Sequence, residues 1–202
     1  MCRVEDSATM PADASPDSLP LSPSLAIDRT ITLVGLMGVG KSTVGRRLAQ
    51  RLGLPFHDGD HEIESAAGMT VSEIFSSRGE AEFRAGEARV MRRLLEGPPI
   101  VLATGGGAMM NPETRALMKK HSISVWMRAD LKVIAERVQR RDTRPLLRGR
   151  DPLEALSQLA EARYPIYAEA DLTVDVGGGS HGQAVEAIMK ELRRYVREES
   201  QK

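Results

Sequence analysis

The sequence predicts a three-layer α/β fold, a five-stranded, mostly parallel sheet with helices on both faces. Three observations predict it. Five short apolar runs read as buried strands, helix-period segments alternate with them, and a glycine-rich loop joins the first run to the first helical segment. A chain of 202 residues with 41% apolar content is long enough to bury one substantial core.

Residues 1–28 are rich in Ser, Pro, Asp and Ala and carry no apolar periodicity, which predicts a disordered tail. The folded domain is expected over 29–202. Its strands are read at Ile31–Val34, Pro55–His57, Ile100–Ala103, Ile123–Met127 and Leu172–Val176. Helical patterns fall at Lys41–Leu52, Glu82–Leu95, Leu131–Arg140, Pro152–Ala168 and Gln183–Glu198, with further helix starts near His61 and Pro112. Pro165 should bend or end its helix.

Lys+Arg and Asp+Glu both number 28, so the chain lacks the bulk positive charge of a nucleic-acid binder, and seven aromatics offer few stacking platforms. Cys2 alone excludes an intrachain disulfide and a cysteine-based zinc site, and fits a reducing compartment. No run approaches the ~20 apolar residues of a membrane span. The first residues lack a signal-peptide core, and Glu5, Asp6, Asp13 and Asp17 disfavour a transit peptide. A cytoplasmic monomer without membrane or nucleic-acid partners is the expectation.

"GLMGVGKST" at 35–43 matches G-x4-G-K-[ST] between a strand and a helix. Its glycines let backbone N–H groups wrap a phosphate at the positive end of a helix. Lys41 reaches β and γ oxygens, and the Ser42 hydroxyl suits Mg²⁺. Gly38, Val39, Gly40, Lys41, Ser42 and Thr43 are the expected nucleotide set. The spacing is not that of a dinucleotide site.

Asp58 and Asp60 follow the second strand, at the end that faces the crevice of a parallel sheet. If the chain stays extended there, both point the same way, one toward a metal through water and one toward an acceptor hydroxyl. A helix N-cap is the plainer explanation for Asp60. His57 and His61 read as ordinary polar residues. Gly105, Gly106 and Gly107 follow the third strand, where close backbone approach to a ligand explains three consecutive glycines. "VGGGS" at 176–180 reads as a linker turn. Arg84 lies three residues before Glu87 on a helix, either as a surface pair or as a cation fixed by Glu87 for an anionic ligand. Arg144 stands in the basic stretch "RRDTRPLLRGRDP", a lid candidate. Arg163 precedes Pro165.

"GLMGVGKST", "FHDGDHEIE", "IFSSRGEAEFRAGE", "TGGGA", "TRPLL" and "RYPIY", in this order and spacing, resemble shikimate kinase over about residues 30–190. The resemblance implies a P-loop kinase fold with a lid at about 141–151 and substrate-binding helices at about 60–95. It implies ATP-dependent phosphorylation of shikimate at its 3-hydroxyl, in the chorismate and aromatic amino acid pathway, with ATP and Mg²⁺. Asp60 would hold the attacking hydroxyl, as general base or by orienting it, and Arg84 and Arg163 would bind the carboxylate. Gly105 to Gly107 would line the ring, with Phe75 and Phe83 as the apolar wall. Ser42 would hold Mg²⁺ directly and Asp58 through water. Lys41 and Arg144 would neutralise the transferring phosphoryl, and Arg137 would pack on adenine. A gluconate kinase-like enzyme and a non-catalytic nucleotide-binding regulator are the alternatives.

Overall fold

The computed structural model describes residues 27–139 and 151–201. The tail up to residue 26, residues 140–150 with Arg144 and nearly all of the expected lid, and residue 202 lie outside the described residues.

Five strands, β1 (Thr30–Val34), β2 (Phe56–Asp58), β3 (Val101–Ala103), β4 (Ser122–Arg128) and β5 (Leu172–Asp175), form one sheet in the order β2-β3-β1-β4-β5. Every pairing is parallel. Helices α1 (Lys41–Leu52), α2 (Gly59–Ala67), α3 (Val71–Leu95), α4 (Pro112–His121), α5 (Leu131–Gln139), α6 (Pro152–Tyr167) and α7 (His181–Glu199) connect and cover them. Central β1 is buried at all five positions, whereas edge strand β5 alternates buried and exposed. Ile31, Leu33, Leu102 and Val125 are fully buried, each side chain contributing roughly 1.5–3 kcal/mol of transfer free energy.

α1 has the expected bounds, while other elements shift by one or two residues, as helix and strand ends commonly do. α3 differs more: it starts at Val71, eleven residues before the expected helix. A capping box of Thr70 and Glu73 launches it, and Gly79 (φ 81°, ψ 173°) breaks the helical run between this piece and the expected one. A second capping box, Ser180 with Gln183, starts α7 two residues early. Pro165 ends α6 only after a delay, since the helix runs on to Tyr167.

Register positions the site. Leu33 of β1 and Asp58 of β2 both pair with Ala103 of β3, so three adjacent strands finish at one level. The loops that leave there must share one crevice, beside the strand where the order reverses.

Candidate active site

The loop after β1 takes left-handed backbone at Gly35 (φ 139°), Gly38 (φ 80°) and Gly40 (φ 102°). Gly40 caps α1 with no side chain over its first turn, so an anion can approach the positive end of the helix. Lys41 Nζ lies along the loop, donating to Gly35 O at 2.8 Å and Leu36 O at 3.0 Å. Gly38, Gly40, Lys41, Ser42 and Thr43 line one cavity together with Asp58, Asp60, Gly106 and Arg137. Val39 is the exception in the expected nucleotide set. Its side chain is buried in the core, and its N–H donates to Leu36 O at 3.4 Å.

The aspartates reach the cavity by a different route from the one expected. The strand stops at Asp58 and Gly59 opens α2, so Asp60 sits in the first helical turn rather than on an extended strand. The capping role falls on Asp58, whose Oδ1 accepts from the Asp60 N–H at 3.2 Å. His57 pairs with Glu62 at 2.8 Å, as an ordinary polar residue would.

The glycine triplet is packed by charged groups. A Cβ on Gly105 would stand 2.7 Å from Glu87 Oε1 and 2.9 Å from Asp60 Oδ1. On Gly106 it would stand 3.1 Å from Arg163 Nη1, and on Gly107 2.8 Å from Arg84 Cζ. A methyl group on Gly105 or Gly107 would displace a charged side-chain end, and one on Gly106 would crowd Arg163.

Arg84 donates to Glu87 Oε2 at 2.7 Å and to Glu80 at 3.2 Å, and its guanidinium lies 5.1 Å from the Phe83 ring. Phe75 and Phe83 pack at 4.6 Å; neither lines the phosphate-loop cavity. Glu87 is 3% exposed. Burial pushes its carboxyl above the ordinary range, and Arg84 only partly offsets this. Its Oε1 is buried with no hydrogen-bond partner among the described residues. Arg163 is also buried, donating from Nη1 to Gly106 O at 2.9 Å.

Three residues of this region were not read as site residues from the sequence. Thr104 donates to Leu33 O at 3.0 Å, tying the end of β3 to β1 at the cavity. His181 opens α7 and reaches the cavity beside Gly40. Its signal was "VGGGS", a second glycine run at a strand's carboxyl end. Tyr167 donates to Gly106 O, and its ring packs on Trp126 with centroids 6.0 Å apart. Trp126, 6% exposed, also packs on Tyr164 at 5.1 Å.

The family model described as shikimate kinase matches residues 37–193. A shikimate kinase of Caulobacter vibrioides is 60% identical over 166 residues, 82% of this chain and 83% of that protein. One from Bradyrhizobium diazoefficiens is 52% identical over 189 residues, 94% of this chain and 90% of that protein. Among solved structures, a shikimate kinase from Acinetobacter baumannii in complex with shikimate superposes with a TM-score of 0.80 at 38% identity. It covers 83% of this chain, which covers 94% of it. A gluconokinase from Sinorhizobium meliloti 1021 reaches 0.58 at 21% identity, a likeness of fold alone. The family match spans the phosphate loop from Met37 onward, both aspartates, the glycine triplet, Arg84 and Arg163, and the chain belongs to the shikimate kinase family.

Proposed function

We propose that the chain transfers the γ-phosphoryl group of ATP to the 3-hydroxyl of shikimate with Mg²⁺, giving shikimate 3-phosphate and ADP for aromatic amino acid biosynthesis. One observation carries the reading. Gly105 to Gly107 join an acidic pair, Asp60 and Glu87, to a basic pair, Arg84 and Arg163, beside a phosphate loop. An acceptor bearing both a hydroxyl and a carboxylate matches that order of charges. The two arginines take the carboxylate as charge-assisted pairs, and Asp60 takes the attacking hydroxyl. Glu87 Oε1, buried and unpartnered among the described residues, suits a second hydroxyl as donor.

On the donor side, the first turn of α1 and the loop glycines hold the phosphates, and Arg137 sits where the nucleoside would extend. Lys41 exchanges its bonds to Gly35 O and Leu36 O for phosphate oxygens, bringing positive charge to the transferring group. Asp60 orients the hydroxyl for in-line attack, or takes its proton. Ser42 and Asp58 are a sparse donor set, and the described residues hold no cluster of three or more His, Cys, Asp or Glu. That fits Mg²⁺, which keeps several waters and takes phosphate oxygens as ligands. When bound, the ion neutralises charge on the β and γ oxygens.

ADP release coupled to NADH oxidation tests the reading. Turnover that requires both shikimate and Mg²⁺ is expected. Equal rates with gluconate, or none with shikimate, would sink it.

A further inference from the structure

Tyr167 and Arg163 stand four residues apart on α6, hence on one face, and both donate to the same acceptor, the carbonyl of Gly106. The described residues contain no cis peptide, so the Gly106 carbonyl and the Gly107 N–H leave one rigid plane in opposite directions. Holding the carbonyl toward α6 therefore aims the Gly107 N–H away from α6.

That plane needs holding. Two glycines flank it, and neither has a side chain to restrict its rotation. No backbone carbonyl among the described residues accepts from the Gly106 or the Gly107 N–H. The plane also has a defined neighbourhood, because a Cβ on Gly106 would meet Arg163 and one on Gly107 would meet Arg84. An anion shared by the two guanidiniums would lie next to this peptide.

Arg163 alone is a poor clamp. Its guanidinium must turn to meet an arriving carboxylate while one of its N–H groups is spent on Gly106 O. Tyr167 has no such conflict. It is 1% exposed, its ring is held by Trp126 and Tyr164, and burial pushes its phenol up to about 12, so it remains a donor throughout the neutral range.

We infer that Tyr167 is a positioning residue for the acceptor's carboxylate. Its hydroxyl fixes the Gly106 carbonyl, and with it turns the Gly107 N–H away from α6, to the side of the shared anion that Arg84 would hold. The inference rests on the shikimate reading above.

Tyr167→Phe removes one oxygen and keeps the ring packing. With the hydroxyl gone, the shikimate KM should rise about three- to tenfold, the worth of one neutral hydrogen bond. The KM for ATP should stay within twofold and the melting temperature near that of the wild type. An unchanged shikimate KM would overturn the inference. So would a parallel rise in both KM values with a lowered melting temperature, which would mark Tyr167 as core packing only. Failure of the wild type to phosphorylate shikimate would strike the parent reading instead. Calorimetric shikimate titration of wild type and variant would then still decide the clamp, with equal affinities counting against it.

Discussion

Asp60 and Glu87 present their carboxylates to one point, the place above Gly105 where a side chain would begin. Oδ1 of the first stands 2.9 Å from it and Oε1 of the second 2.7 Å. Both distances are below those of real Cβ contacts, so a methyl group there must push one or both acids aside. Gly105→Ala should lower kcat/KM for shikimate by about tenfold to a hundredfold, the scale of a one-ångström misplacement at a reacting group. Circular dichroism should show an intact fold. Wild-type kinetics in this variant would mean that neither carboxylate is placed for catalysis.

Glu87 sets stability against function. Burial raises its folded-state pKa above the ordinary carboxylate value, so folding favours the protonated form. The wild type should therefore gain stability as pH falls toward the ordinary value and lose it as pH rises through the raised one. Glu87→Gln removes that titration. Melting curves from pH 7 down to pH 4.5 should show the wild type gaining on the variant, while the variant's shikimate KM at pH 7 is raised several-fold because the 2.7 Å acceptor of Arg84 has become a neutral amide oxygen. A gap between the two curves that does not change with pH would refute the assignment.

Asp58 is asked to do two things, and substitution separates them. Asn caps a helix about as well as Asp, so Asp58→Asn should keep the melting temperature yet raise the Mg²⁺ concentration needed for half-maximal rate. Asp58→Ala should lose about 1 kcal/mol of stability as well. If Asn leaves the Mg²⁺ requirement unaltered, Asp58 is a cap and nothing more.

Arginine's planar fork distinguishes it from lysine at both carboxylate positions. Arg84→Lys and Arg163→Lys keep the charge and lose the fork, and each should raise the shikimate KM by about tenfold. ATP affinity, measured by titration without acceptor, should hold steady. Weakened ATP binding would place these residues on the donor side.

The sheet was legible because its central strands β1, β3 and β4 are buried on both faces and read as apolar runs such as "ITLV". The phosphate loop was legible because its chemistry is local, nine residues wrapping one ligand. What escaped depends on distance. Glu87 and Asp60 lie far apart in sequence and meet over Gly105, beyond the level where β2 and β3 both end. Tyr167 escaped for the same reason, since Gly106 is 61 residues away. The first part of α3 was missed for a local reason that was open to view. "TVSE" at 70–73 spells its capping box, and "SSRG" leads into the break at Gly79 that separates this piece from the rest of α3. The exchange of roles between Asp58 and Asp60 turned on a single residue. Gly59 begins the helix, and an alternation valid for a strand fails one step beyond it.

Trp126 is the chain's sole tryptophan, and it touches the two tyrosines of α6, one of which holds Gly106. The fold has thus tied its one indole to the glycine triplet. Occupancy there should change the indole emission of the unlabelled protein, with no second tryptophan to subtract.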